Sequence, residues 1–201
     1  MERKYKLTDE CMQYAGHKLY RIQSLRSFSD VKEGELGGYI ESEDNLSHDG
    51  MCWVYEEAKV FGNAKVYNNA CVYFYAEVSG DAKVFGNADV CGNAKVCGNA
   101  KVYGKAEVRG DAKVYKNGDY IVFKNWWSSG RYFTWTRSNN KWKVGCFWGT
   151  GAELINNAYE DSELSGREYE RVVKYVESIL ADENAQKKIK IIMTTEDLEK
   201  L

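Results

Sequence analysis

A valine stands at every sixth position from Val54 to Val114, and an alanine follows four places behind each of the first ten. Between them sit corner dipeptides such as Gly62-Asn63, Gly80-Asp81, Gly86-Asn87 and Gly98-Asn99. A six-residue period is too short for a helix pair and too regular for a sandwich. It predicts a β-solenoid of short strands and tight corners. Valine is β-branched and fills an inward position on a pleated strand. Alanine suits the crowded inner corner, and glycine and asparagine accept the positive φ of a sharp bend. The chain has no proline, so its turns must be made by Gly, Asn and Asp. Each buried valine is worth roughly 1.5–3 kcal/mol before conformational entropy is subtracted.

The V-x-G-N-A-x pattern over Val54 to Val114 resembles that of the hexapeptide-repeat, left-handed parallel β-helix superfamily. The resemblance implies three hexads to a triangular coil and a left-handed winding, where the general crossover rule would favour the right hand. Eleven hexads then make nearly four coils. Upstream, Ile40 and Leu46 keep the spacing, but Leu46 to Val54 is too long by two residues, which predicts a bulge near His48. The predicted fold is a β-solenoid (left-handed parallel β-helix) of about four regular coils with an N-terminal cap, joined to a small C-terminal α+β domain. The divisions are an N-terminal cap over 1–39, in which "KLYRIQSLRSF" reads as a strand, the repeat over 40–118, and a tryptophan-rich domain over 119–201.

Three hexads per coil place Lys65/Tyr67, Lys83/Phe85 and Lys101/Tyr103 in one outward column, a lysine row beside an aromatic row. Such a ladder can be simply structural or a subunit interface. The resemblance favours a homo-oligomer, with a trimer first. A nucleic-acid groove is conceivable from Lys and aromatics, but 28 Lys+Arg against 30 Asp+Glu argue against a polyanion binder.

Beyond the repeat, "DYIVFKNWW", "GRYFTWTRS" and "KWKVGCFW" read as three strands. Capping boxes at Thr150–Glu153 and Ser165–Glu168 open two helices. The tail "KKIKIIMTTEDLEKL" reads as a strand and a short helix. Five of the six tryptophans fall between Asn125 and Gly151. Adjacent Trp126 and Trp127 point opposite ways on a strand, so one of them needs a partner beyond a single sheet face. Aromatics, Arg131, the Ser128-Ser129 turn and a helix N-terminus at Thr150 would together suit a nucleotide-like ligand. The candidate contacts are Trp126, Trp127, Ser128, Ser129, Arg131, Trp135, Arg137 and Thr150.

The six cysteines make no C-x-x-C pair, and His17 and His48 are the only histidines, so no metal site is expected. The cysteines read as free thiols in small apolar positions. No cofactor, no membrane segment and a cytoplasmic location are expected.

Three functional readings stay open. The first is a non-catalytic binder that sequesters a nucleotide-like signal or occludes a host defence protein. Its phage setting comes from resemblance alone, to phage and bacterial hexapeptide proteins often labelled transferases or polymer-forming proteins. The second is a hexapeptide-type acyltransferase using acetyl-CoA. Such chemistry wants a histidine base near a coil, and His48 lies beside the bulge while His17 falls in the cap. The third is an oligomeric scaffold, against which the non-repeating ends argue.

Overall fold

The computed structural model describes residues 3–198, with side chains as far as residue 186. Two compact units divide at the Gly149–Thr150 junction, residues 1–149 and 150–201. The first unit begins with strands β1 (Tyr5–Tyr14) and β2 (His17–Ser24), an antiparallel hairpin turning at Ala15-Gly16. Strand β3 (Leu36–Ile40) pairs antiparallel with β2 on one side and parallel with the solenoid on the other. The stretch expected as a single cap strand is thus the second arm of a hairpin and the turn after it.

Eleven two-residue strands follow, each ending on a repeat valine: β4 (Trp53–Val54), β5 (Lys59–Val60), β6 (Lys65–Val66), β7 (Cys71–Val72), β8 (Glu77–Val78), β9 (Lys83–Val84), β10 (Asp89–Val90), β11 (Lys95–Val96), β12 (Lys101–Val102), β13 (Glu107–Val108) and β14 (Lys113–Val114). They stack as three parallel sheets. The first face is β3-β5-β8-β11-β14, continued by β2 and β1; the second is β6-β9-β12; the third is β4-β7-β10-β13. Val66 pairs with Val84 and Val84 with Val102, so a coil is 18 residues. Ile40 pairs with Val60 and Leu46 bridges Val66, so the first coil is two residues longer. That is the bulge expected near His48. Every repeat valine and alanine is buried in one continuous core. Trp53 closes this core at its N-terminal end, edge-on to Tyr5 and Phe28. It packs so closely that a Cβ on Gly37 would lie 2.7 Å from its ring, which explains the Gly37-Gly38 pair.

A solenoid must satisfy the backbone groups of its two end coils. Inside the stack, the N–H before each valine donates to an alanine carbonyl of the next coil, as Lys65 does to Ala82 and Lys83 to Ala100. The last coil has no such neighbour. There the Lys101 N–H reaches Asn117 Oδ1 (3.0 Å), that of Glu107 reaches Thr134 Oγ1 (3.0 Å), and that of Lys113 reaches Ser138 Oγ (2.6 Å). At the opposite end the exposed groups are carbonyls, and donors meet them. Lys4 Nζ donates to Cys52 O (2.8 Å) and the Tyr5 hydroxyl to Leu46 O (2.6 Å). Asn45 Nδ2 donates to Gly62 O and Ala64 O, both at 2.9 Å.

The first unit ends with a four-stranded antiparallel sheet: β15 (Tyr120–Lys124), β16 (Tyr132–Thr136), β17 (Lys141–Val144) and β18 (Phe147–Gly149). The run expected as one third strand is two, because Gly145 turns the chain at φ +55°. Phe133, Trp135 and Trp142 are buried on one face of the sheet, and Thr134, Thr136 and Lys143 on the other.

The second unit holds α1 (Gly151–Asp161) and α2 (Glu163–Leu198). The Thr150 hydroxyl accepts from the Glu153 N–H (3.3 Å), and Glu153 returns the bond to the Thr150 N–H (2.7 Å), the expected capping box. The second helix starts earlier than Ser165, because Ser162 caps it by accepting from the Ser165 N–H (3.1 Å). Its backbone continues helical through most of the tail that was expected to hold a strand.

Candidate functional site

The tryptophan cluster divides between interior and surface. Trp135 is fully enclosed, with its indole N–H donated to Asn140 Oδ1 (2.8 Å) and the Arg137 guanidinium over its ring. Its expected role as a stacking surface does not survive that burial. Trp142 is equally enclosed. Trp126 is 74% exposed and meets Trp127 edge-on, and Trp127 meets Phe133 the same way. The adjacent pair has different surroundings, but the cause is a turn and not strand alternation, since β15 ends at Lys124. The Ser128 N–H donates to Asn125 Oδ1 (2.9 Å); Ser128, Ser129 and Arg131 lie exposed here. Arg137 Nε donates to Gly118 O (3.1 Å). Thr150 belongs to the second unit, its hydroxyl occupied by the helix cap.

Histidine chemistry lies elsewhere. The β1–β2 hairpin folds over the outer side of the first face, where Met12, Tyr14 and Leu19 pack on Tyr39 and Phe61. This carries His17, at the start of β2, against Phe61 with ring centroids 5.0 Å apart. There His17 Nδ1 sits 2.9 and 3.0 Å from the two oxygens of Glu41. Glu41 is fixed by the coil, its Oε2 accepting from the Gly62 N–H at 2.7 Å. His17, and then that N–H, hold its carboxyl below the usual carboxylate range. A carboxylate on Nδ1 selects the tautomer with the proton on that nitrogen, leaving Nε2 with a lone pair. The pair opens into a cavity of about 550 Å³, whose other walls are Phe61, Asn63, Ser79 and Asp81. Both members were in the sequence, but their contact spans a fold of the hairpin over the coil that the repeat does not encode. The two-residue Ala15-Gly16 turn between "CMQY" and "HKLYRI" was the available signal.

His48, the histidine expected beside a coil, holds the N-terminal end together instead. Its Nδ1 accepts from the Lys4 N–H (3.2 Å) and its ring stacks on Tyr5 at 4.3 Å. Nε2 must therefore carry the proton, and it lies buried 3.7 Å from Glu43. That nitrogen is no base.

On the second face the expected column is present, with Tyr67 and Phe85 stacked at 4.9 Å and 3° and Phe85 and Tyr103 at 5.2 Å and 11°. Lys65, Lys83 and Lys101 stand exposed beside it. Among the described residues no group of three His, Cys, Asp or Glu converges as a metal site, and no helix is long and apolar enough to cross a membrane.

No family model matches the chain. It is similar to the uncharacterized acetyltransferase YdcK of Escherichia coli K12, 36% identical over 69 residues. The match covers 30% of this chain and 21% of that protein, so the chain spans about a fifth of the relative's length.

Proposed function

We propose that the protein transfers an acyl group from a thioester donor to a hydroxyl or amine acceptor, with His17 as general base and Glu41 as its orienting partner. The observation that carries this reading is the His17–Glu41 pair opening into a cavity on the side of the solenoid. The acceptor's O–H or N–H would lie against Nε2, which takes the proton as the acceptor attacks the thioester carbonyl. Collapse of the tetrahedral adduct releases the thiol, and the proton returns from Nε2 to the departing sulfur. Glu41 stabilises the imidazolium formed between these steps. Among the described residues the cavity's carboxylate walls are Glu41 and Asp81, with no lysine or arginine, so it suits the acceptor and the thioester end of the donor rather than the phosphates of a coenzyme. The name of the relative, an uncharacterized acetyltransferase, supports the same chemistry. Neither geometry nor comparison lends weight to a nucleotide-sequestering, counter-defence role.

The test is incubation of the full chain with acetyl-CoA and a panel of small amines and alcohols, with acylated acceptor detected by mass spectrometry. That readout avoids thiol reagents, which would report the protein's own cysteines. Acylation that falls at least a hundredfold in His17→Gln supports the assignment. Turnover that survives the substitution, or none with any acceptor, removes it.

A further inference from the structure

A second cavity, of about 390 Å³, opens on the third face. Two of its walls are aromatic: the rings of Tyr55 and Tyr73 stand perpendicular, with centroids 6.2 Å apart. Three more groups are carboxylates, Asp30, Glu56 and Asp89, and no lysine or arginine lines the space among the described residues. Two of the carboxylates are anchored. Asp30 Oδ1 accepts from the Tyr55 hydroxyl (2.7 Å), and Glu56 Oε2 accepts from the Phe74 N–H (2.7 Å). Asp89 differs, because its carboxylate accepts no hydrogen bond from any described residue. Burial, and then the neighbouring Glu107, push its pKa up to about 6, with the charge of Lys143 partly opposing them. Glu107 is itself held by Lys143 Nζ at 3.1 Å. The remaining titratable neighbours are neutral near pH 7: burial pushes the Cys71 thiol up to about 11 and raises the Tyr73 hydroxyl and the Cys91 thiol.

The cavity thus offers three carboxylates beside two tyrosine rings, with no cationic side chain on its walls among the described residues. An anion would be repelled, and a neutral ligand would leave the charge of the three wall carboxylates unmatched within the cavity. A hard metal ion would want several converging oxygens, and no three candidate ligands converge here among the described residues. An organic cation satisfies both kinds of wall, since carboxylates neutralise its charge and aromatic faces attract it. We propose that this cavity is a binding site for an organic ammonium ion, its charge against Asp89 and its alkyl groups against the exposed sides of the Tyr55 and Tyr73 rings. The site is independent of the acyl-transfer reading, because it shares no residue with the His17 cavity.

The experiment is isothermal titration calorimetry of the full chain with tetramethylammonium, against tert-butanol as an uncharged control of similar bulk, in buffer of fixed ionic strength. Saturable binding of the cation alone is expected. It should weaken between pH 7.5 and pH 5, fall at least tenfold in Asp89→Asn, and fall about fivefold in Tyr73→Leu. Asp89→Asn removes a desolvated charge without changing shape, so lost affinity there cannot be laid to misfolding. No saturable binding, equal binding of tert-butanol, or an unchanged affinity in Asp89→Asn overturns the proposal. Unchanged affinity in Tyr73→Leu overturns it too, because the cation would then be held by surface charge alone.

Discussion

Asp89 is ionised at neutral pH at the expense of the fold, and this has a measurable signature. Its carboxyl titrates near 3.8 in the unfolded chain and near 6 when folded, because the folded site is desolvated and faces Glu107. Below pH 3.8 both states hold the proton and Asp89 contributes no penalty. Above about 6 the folded state carries the full cost of the charge. Two pK units are worth about 3 kcal/mol, and water entering the open cavity screens this to about 2 kcal/mol. Asp89→Asn preserves the shape and deletes the charge. The variant should therefore gain about 2 kcal/mol over the wild type as pH rises from 4 to 7.5, after their difference at pH 4 is subtracted. Paired urea titrations at several pH values, followed by tryptophan fluorescence, measure the difference directly, and other titrating groups cancel between the two proteins. A difference that stays flat across this range, or shrinks as pH rises, would refute the reasoning, since Asp89 would then be as well solvated folded as unfolded.

Asn45→Asp keeps the oxygen that accepts from the Glu41 and Ser42 N–H groups, but removes both donors to Gly62 O and Ala64 O. Two stranded carbonyls should cost about 2–5 kcal/mol in urea unfolding; a loss under about 1 kcal/mol would mean that water replaces the amide. Gly86 and Gly104 share a corner conformation (φ +74° and +72°), yet a Cβ on Gly86 would lie 3.0 Å from the Gly104 nitrogen while one on Gly104 meets nothing within 4 Å. Alanine at Gly104 should thus cost only the left-handed backbone, about 1–2 kcal/mol, and alanine at Gly86 clearly more; equal losses in thermal unfolding would contradict the stacked-corner geometry. For acyl transfer, Glu41→Gln should lower kcat about tenfold or more while leaving KM for the acceptor within a factor of about two. A rise in KM alone would recast Glu41 as a binding group.

The solenoid was legible because its residues are chosen by translation. Val66, Val84 and Val102 occupy one environment three times over, so the period and the aromatic column of Tyr67, Phe85 and Tyr103 could be read directly from the letters. Even the bulge showed, as two surplus residues between Leu46 and Val54. The His17–Glu41 pair was not legible. It depends on how a hairpin with a register shift between Leu7 and Cys11 docks on the first face, a choice made by Met12, Tyr14, Tyr39 and Phe61 together. The tryptophans were half legible. Strand alternation is the wrong ground for separating Trp126 from Trp127, because β15 stops at Lys124 and both stand in the turn after it, and nothing local says that Trp135 is covered while Trp126 is open.

The end groups of the coil stack have a consequence for its length. Because side chains such as Asn117, Thr134 and Ser138 close the last coil, and Lys4, Tyr5 and Asn45 close the first, neither terminus reads how many coils lie between. The interior behaves like a one-dimensional crystal with a unit cell of 18 residues. A deletion of one whole cell, residues 79–96 for instance, returns every valine to a valine and every corner to a corner, whereas loss of a single residue puts each later side chain out of phase. Within the regular coils, length that keeps the register is therefore quantised in whole cells, and a fractional change needs a bulge like the two surplus residues of the first coil.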